Sequence, residues 1–134
     1  MSLPNHLSQL AIAVTQQAAT EPPFSANYDV FKSLPSTGDF LCTVCQASLF
    51  PGAAKFDAKC GWPAFWKGDE SNLKELVDTS GGRKRTEVRC AQCDAHLGHR
   101  FDGEHFGNPK DVRYCINAVS VQYAGPDGQK KIFE

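Results

Sequence analysis

Residues 42–45 read Cys-Thr-Val-Cys and residues 90–93 read Cys-Ala-Gln-Cys, and these two stretches decide the fold. Each places two thiols at the spacing with which proteins bind a tetrahedral zinc ion, at Zn–S distances of about 2.3 Å. Four thiolates fill such a site and leave no position for water, so the metal is expected to be structural. We therefore predict one zinc ion per chain, with the ligands Cys42, Cys45, Cys90 and Cys93.

Two other interpretations of these cysteines are less favoured. A thioredoxin-like redox pair belongs at the strand-to-helix junction of a βαβ unit, and neither stretch has that setting. A zinc site could instead combine Cys90 and Cys93 with His96 and His99. Because that set would leave the pair at 42–45 without partners, the four cysteines are the favoured ligands.

The length and composition are those of an ordinary globular chain. With 134 residues, of which 41% are apolar, we expect one domain over residues 1–134, with a helical segment at 1–20. The six cysteines among 134 residues are about 4.5% of the chain, which is less than the roughly 8–10% found in secreted scaffolds built on disulfides. Fourteen basic and fifteen acidic residues give a net charge of −1, which argues against nucleic acid or an anionic membrane as a partner.

The expected location is cytoplasmic. No apolar run approaches the roughly 18 residues of a membrane span, and residues 1–17 lack the basic and apolar regions of a signal peptide. In a reducing compartment, cysteines are more often metal ligands or redox catalysts than disulfide partners. A monomer is the default expectation for the oligomeric state.

Hydrophobic patterning predicts a mainly β protein with a short N-terminal helix. A one-sided apolar stripe indicates a helix over residues 5–18, formed by Leu7, Leu10, Ala11 and Val14. Pro22 and Pro23 end any helix there, and residues 24–35 are expected to be irregular. Beyond Asp39, short aromatic and β-branched runs alternate with turn residues, which is typical of antiparallel sheets. The predicted strands are 40–42, 49–50, 73–78, 86–89, 100–101, 113–123 and 131–133, with turns at 80–82 and 125–128.

The stretch Val-Arg-Tyr-Cys-Ile-Asn-Ala at 112–118 separates its side chains between two faces of a strand. Apolar residues occupy the even positions, so Arg113, Cys115 and Asn117 share the opposite face. A cysteine that merely packs as a small hydrophobe should lie on the apolar face, so this pattern favours a functional Cys115. The apolar phase then shifts, which predicts a β-bulge near Ala118.

The two cysteines outside the predicted zinc site are Cys60 and Cys115. A thiol is a nucleophile only as its thiolate, and the guanidinium of Arg113 should favour that form of Cys115. His96 and His99 could supply a proton near neutral pH, although a single histidine is usually structural.

Trp62 follows Cys60 by two residues, between Gly61 and Pro63. A rigid turn there could hold the indole against a ligand. Ordinary packing of Trp62 in the core is an equally open interpretation.

The sequence resembles the B-type methionine sulfoxide reductases, which are specific for the R epimer at sulfur. The resemblance covers most of the chain, through TEPPFSANYD at 20–29, CTVC at 42–45, KFDAKCGWPAF at 55–65, RTEVRCAQCDAHLGH at 85–99 and RYCIN at 113–117. The chain departs from the usual family residues at Ala64, Arg100 and Ala118. The resemblance implies a pair of antiparallel sheets, the β-tent or Mss4-like fold, with a few peripheral helices.

The same resemblance implies roles for individual residues. Cys115 matches the catalytic nucleophile and Cys60 the resolving cysteine, while the four cysteines of the Cys-x-x-Cys stretches match the family's zinc ligands. Trp62 matches the aromatic residue that receives the substrate methyl group. The residues that match polar active-site positions are His96, His99, Asp102, Arg113 and Asn117.

We hypothesise that the Cys115 thiolate attacks the sulfoxide sulfur while His96 or His99 protonates the oxygen, leaving a sulfenic acid on Cys115. Cys60 then forms a disulfide with Cys115, which thioredoxin reopens. Free and protein-bound methionine R-sulfoxide are both left open as substrates. The alternatives are a zinc-stapled β module that binds a ligand without chemistry, and a thiol-based peroxide sensor.

Overall fold

Ten short strands and two helices make up the part of the chain that this computed structural model describes, residues 3–134. The helices are α1 Gln9–Gln17 and α2 Ala26–Ser33. The strands are β1 Asp39–Cys42, β2 Ser48–Pro51, β3 Lys55–Phe56, β4 Ala64–Phe65, β5 Leu73–Asp78, β6 Arg85–Cys90, β7 His96–Asp102, β8 Val112–Ile116, β9 Val121–Ala124 and β10 Lys130–Ile132. Strands β3 and β4 were not predicted, because two residues are too few to show an alternating pattern.

The strands form two antiparallel sheets. One sheet has four strands in the order β10-β9-β1-β2, and the other has six in the order β3-β4-β8-β7-β6-β5. Every described strand pair is antiparallel. The prediction of a mainly β fold of two antiparallel sheets with short helices is confirmed.

Each Cys-x-x-Cys stretch forms the turn of a hairpin. In the β1–β2 hairpin the Cys42 N–H donates to the Ala47 carbonyl at 2.8 Å, and Gln46 adopts a left-handed φ of 71°. The β6–β7 hairpin repeats the contact at 2.9 Å, with Asp94 at a φ of 66°. Because the two hairpins belong to different sheets, their four sulfur atoms connect one sheet to the other.

A cluster of aromatic side chains fills the space between the sheets. Phe50 of β2 stacks on Phe65 of β4 with ring centroids 4.5 Å apart, and Phe40 of β1 lies 5.1 Å from the same ring. Phe31 of α2 completes the cluster at 5.6 Å from Phe65. Since burying each ring contributes about 1.5–3 kcal/mol, the cluster is a major source of stability.

The prediction that residues 24–35 are irregular is wrong, because α2 lies there. The Ser25 side chain accepts a hydrogen bond from the Tyr28 N–H and so caps the helix at its start. Tyr28 and Phe31 are buried and stand three residues apart, which puts both on the face toward the core. Two apolar residues that follow a pair of prolines form too short a stripe to predict a helix from the sequence.

The prediction of one bulged strand over 113–123 is also wrong. Strand β8 ends at Ile116 in the six-stranded sheet, a 3₁₀ turn spans residues 118–120, and β9 begins at Val121 in the four-stranded sheet. The turn is held by the Ser120 N–H on the Asn117 carbonyl at 3.0 Å. The shift of the apolar phase therefore marks a crossing between sheets.

Helix α1 is shorter than the predicted helix over 5–18, because the Ser8 side chain caps it and Gln9 is its first residue. Ala11 and Val14 of the predicted stripe are buried. Within residues 3–134, neither helix has the length and apolar character that crossing a membrane requires.

Candidate active site

Strand β8 carries Cys115 into the middle of the six-stranded sheet. Its partners across the sheet are Ala64 of β4 and His99 of β7. Two residues earlier, Arg113 lies opposite Phe101, with its guanidinium carbon 4.4 Å from the ring centre. Because residues directly opposite in antiparallel strands point to the same face, the Cys115 thiol, the Arg113 guanidinium and the His99 ring share one side of the sheet.

A cavity of about 240 Å³ lies on this side of the sheet. Six of its lining residues were predicted site residues, namely Cys60, Trp62, His99, Arg113, Cys115 and Asn117. The volume is below the roughly 300–1,000 Å³ of sites for drug-sized ligands, so the cavity suits a single side chain. A larger open depression of about 560 Å³, beside Lys67 and Glu70, is lined by neither cysteine nor histidine, so size alone does not mark the site.

Cys60 reaches the cavity from the loop between β3 and β4. The residues on either side, Lys59 and Gly61, both have a left-handed φ, of 57° and 88°. Two hydrogen bonds hold the loop in place. Before the thiol, the Lys59 N–H donates to the Asp57 carboxylate at 2.9 Å, and after it the Phe24 N–H donates to the Gly61 carbonyl at 2.8 Å. The thiol thus projects from a short segment that is fastened at both ends.

The Cys60 and Cys115 thiols share one negative charge. A hydrogen bond from Cys115 lowers the pKa of the Cys60 thiol to about 6, and the Arg113 guanidinium lowers it further. The same hydrogen bond, together with burial, raises the pKa of the Cys115 thiol, because two adjacent thiolates would repel each other. Near neutral pH the site therefore holds one thiolate and one thiol as neighbours.

His99 is oriented by a carboxylate on the neighbouring hairpin. Its Nε2 donates to Oδ2 of Asp78, the last residue of β5, at 2.8 Å. Hydrogen bonds from the Ser80 hydroxyl and N–H, and then the contact with His99, hold the pKa of Asp78 well below its usual range. The carboxylate stays ionised and leaves Nδ1 of His99 to act on a ligand.

His96 lies elsewhere, although it precedes His99 by only three residues. Its Nδ1 donates to the Glu87 carboxylate at 2.7 Å, and only 4% of its surface is exposed. Burial lowers its pKa, and it lines a separate depression beside Arg89 and Cys93. The structure brings His99 to the two thiols, and not His96.

Asp102 is the predicted substrate-binding residue that does not reach the cavity. It lies opposite Val112, one residue out of phase with the pair formed by Phe101 and Arg113, so it points to the other face of the sheet. There it accepts a hydrogen bond from Nε of Arg100 at 2.9 Å. Its predicted role in binding substrate stays a prediction, without support from this placement.

Glu21 organises two of the cavity residues and was not identified from the sequence. Its carbonyl accepts a hydrogen bond from the Trp62 indole N–H at 2.7 Å, and its N–H donates to the Asn117 side chain at 2.9 Å. Glu21 is only 1% exposed, and its carboxylate accepts a hydrogen bond from the Val119 N–H at 3.1 Å. The only signal in the sequence was its place in the stretch 20–29.

The four remaining cysteines form a compact cluster whose sulfur atoms all lie within 4.8 Å of one another. Two distances join the hairpins, 3.6 Å between Cys42 and Cys93 and 3.5 Å between Cys45 and Cys90. A tetrahedral ion with Zn–S distances of about 2.3 Å would separate its ligands by about 3.8 Å. The cluster therefore has the size and donor set of a four-thiolate zinc site.

Gly98 lets β7 approach the strand that carries Cys115. A Cβ atom at this position would lie 2.0 Å from the Cys115 carbonyl oxygen. We expect Gly98→Ala to force β7 and β8 apart and to lower the free energy of unfolding by about 2–3 kcal/mol, as measured by denaturant titration.

Gly125→Ala is the matched control. At Gly125 the nearest atom to a new Cβ, 3.0 Å away, belongs to the flexible Asp127 side chain. We expect this variant to change stability by less than about 0.5 kcal/mol. Equal losses in the two variants would contradict the close approach at Gly98.

The site consists of two thiols in a small cavity, on a β fold whose sheets meet at a four-cysteine cluster, and this arrangement is typical of an oxidoreductase. Comparison with known proteins then identifies the family. The model of the SelR domain matches residues 7–125, and the chain belongs to this family. The predicted family and the prediction that the chain is an enzyme are both confirmed.

The chain is similar to curated proteins from bacteria and a plant. It is 47% identical over 124 residues to the peptide methionine sulfoxide reductase MsrB of Thioalkalivibrio sulfidiphilus, covering 91% of this chain and 86% of the relative. It is 39% identical over 131 residues to the MsrB protein of Escherichia coli, covering 96% and 91%. A peptide methionine sulfoxide reductase of Arabidopsis thaliana is 42% identical over 117 residues, covering 87% and 81%.

Proposed function

We propose that this protein reduces methionine R-sulfoxide, free or in proteins, to methionine. The observation that carries the proposal is that Cys60 and Cys115, the cysteines outside the four-sulfur cluster, line one small cavity with Trp62 and His99. Sulfoxide reduction to the thioether needs two electrons, which a pair of thiols supplies when it becomes a disulfide. The names of the relatives support the choice of substrate.

The first step is nucleophilic attack by Cys115. Its thiol passes its proton to the neighbouring Cys60 thiolate, and the resulting Cys115 thiolate attacks the sulfoxide sulfur. His99 donates a proton to the sulfoxide oxygen, which makes it a better leaving group. The oxygen is transferred to Cys115 as a sulfenic acid, methionine is released, and the substrate sulfur has gained the two electrons.

The second step restores the enzyme. The Cys60 thiol attacks the sulfenic acid on Cys115, so that a disulfide forms and water leaves with the thiol proton. A dithiol reductant, for which we propose thioredoxin, then reopens the disulfide by thiol exchange. Because the Cys60 and Cys115 thiols are already hydrogen-bonded neighbours, the S–S bond needs only a small approach of the two sulfur atoms.

Trp62 and Arg113 would bind the substrate on either side of the reacting sulfur. The Trp62 indole, held by the Glu21 carbonyl, offers an apolar surface to the methyl group. The Arg113 guanidinium, held by the Glu104 carboxylate at 2.7 Å, keeps positive charge beside the thiolate. Asn117 uses its amide to join Glu21 to β7, so its role here is to position the wall of the cavity.

The metal in this proposal is one structural zinc ion. Its ligands would be Cys42, Cys45, Cys90 and Cys93. The ion would cross-link the two sheets and so stabilise the fold. The cytoplasmic location, the single domain and the monomeric state stay predictions.

The test is a thioredoxin-coupled assay on the two separated epimers of methionine sulfoxide, with hydrogen peroxide as a third substrate. We expect consumption of the R epimer alone. Consumption of the S epimer at a similar rate would contradict the proposed stereochemistry. Faster consumption of peroxide than of either epimer would favour the peroxide sensor instead.

A further inference from the structure

Three arginines line the cavity that holds the two thiols, and no carboxylate does so among the described residues. They are Arg83, Arg85 and Arg113, which come from two different hairpins. A small cavity walled by one sign of charge concentrates its field and favours ligands of the opposite sign. The proposed reaction uses Arg113 beside the thiolate but gives no role to Arg83 and Arg85, because the side chain of methionine sulfoxide is uncharged.

The three arginines differ in how far their charge is already neutralised. Arg113 forms a two-point contact with the Glu104 carboxylate, at 2.7 and 3.1 Å. Arg85 reaches Asp78 through one terminal nitrogen at 3.3 Å, and its buried Nε has no hydrogen-bond partner within residues 3–134. Arg83 is exposed and forms no ion pair within that part of the chain.

Arg83 occupies a position from which it can meet a substrate outside the reacting group. It follows the glycine turn at 80–82, which connects β5 to β6, and so projects from a hairpin tip at the mouth of the cavity. A side chain inserted to bring its sulfur to Cys115 would leave its own backbone and neighbours at this mouth. Guanidinium groups bind carboxylates through paired hydrogen bonds.

We propose that Arg83 and Arg85 form a carboxylate-binding subsite that selects methionine sulfoxide with a carboxylate close to it. The carboxylate has two possible sources, the α-carboxylate of free methionine sulfoxide and the side chains of adjacent Asp or Glu residues in a peptide. This inference rests on the proposed function and deepens it by naming the substrate class.

The test compares peptides of the form acetyl-X-Met(O)-X-amide, R epimer, with X as Glu or Gln, and it compares N-acetyl-methionine R-sulfoxide, which keeps the α-carboxylate, with its amide. The reductant is dithiothreitol, so no protein reductant can contribute. At low salt we expect kcat/KM to be about fivefold higher for the carboxylate-bearing member of at least one pair, and the ratio to approach one at high salt. The pair that shows the preference identifies the source of the carboxylate.

Arg83→Gln should bring that ratio close to one. Lys84→Gln is the matched control, because Lys84 carries the same charge on the next residue but does not line the cavity, and it should keep the ratio. The ratio is measured within one preparation, so it does not depend on the fraction of folded protein. A ratio near one for both pairs in the unmodified chain overturns the inference.

Two further outcomes separate this inference from others. Failure to reduce any of the four compounds would refute the proposed function itself. A ratio near one with dithiothreitol, accompanied by a loss in Arg83→Gln only when thioredoxin is the reductant, would assign the arginines to the reductant and overturn the carboxylate subsite.

Discussion

Cys115→Ser is expected to lower the rate of methionine sulfoxide reduction by at least about a thousandfold, because a serine hydroxyl does not ionise near neutral pH and cannot become a sulfenic acid. Cys60→Ser should act differently. It keeps the attacking thiol and removes the neighbouring thiolate, whose hydrogen bond and negative charge raise the pKa of Cys115. Cys115 can then ionise beside Arg113 without Cys60 as its proton acceptor, so one methionine should form per chain before turnover stops. The measurement is the amount of methionine released under two conditions. In the first, the enzyme is in excess over the substrate, so only a single turnover is possible. In the second, the substrate is in excess and thioredoxin is present, so repeated turnover is possible.

The two serine variants control for each other, since each removes one sulfur from the same cavity. In Cys60→Ser, mass spectrometry after the single turnover should find one added oxygen on Cys115, and a thiol-specific sulfenic acid probe should label it. Loss of the single turnover in both variants to the same extent would refute the division into attacking and resolving thiols.

If the four-cysteine cluster binds zinc as proposed, removal of the ion is expected to have the second largest effect, on stability. Structural zinc contributes roughly 10–16 kcal/mol in small zinc domains, which is comparable to the whole stability of about 5–15 kcal/mol of a typical domain. Cys42→Ser and strong chelators should therefore both unfold much of the chain at 25 °C. Zinc content and the midpoint of denaturant unfolding, measured on the same samples, check this.

Cys60→Ser is the matched control for the metal site, because its sulfur lies outside the four-cysteine cluster. It should retain about one zinc per chain and an unchanged unfolding midpoint. Acid should also release the metal, since the thiolates must be protonated for it to leave, so zinc retention falls as pH falls. An unchanged midpoint in metal-free Cys42→Ser would show that the sheets hold together without the ion.

The parts of the fold that followed from the sequence are those encoded over short stretches. The Cys-x-x-Cys spacing of Cys42 and Cys45 occurs again at 90–93, and in the structure both stretches form equivalent hairpin turns. Alternation along 112–118 predicted the shared face of Arg113 and Cys115, which β8 displays. These features depend on the local period of a strand or a turn, so a sequence contains them without reference to the rest of the chain.

The secondary-structure elements that the sequence predicted wrongly are those whose conformation depends on contacts between residues far apart in the chain. The break after β8 depends on Glu21, whose carboxylate binds the Val119 N–H across 98 positions of sequence. Helix α2 has only eight residues and draws its stability from burying Tyr28 and Phe31. Short helices depend more on such packing than on their own propensity, so a local pattern is a weak guide to them.

By itself, the sequence determined the chemical inventory of this protein: four thiols spaced for one ion, two more thiols outside that set, and strands of the antiparallel type. Only the tertiary structure decided that His99 and not His96 meets the thiols, that Asp102 turns away, and that Arg83 stands at the mouth of the cavity. The physical reason is that ligand spacing and strand alternation act over a few residues. Pairing between residues far apart in the chain decides the register of β7 against β8. It also decides where the tip of the β5–β6 hairpin lies relative to the cavity.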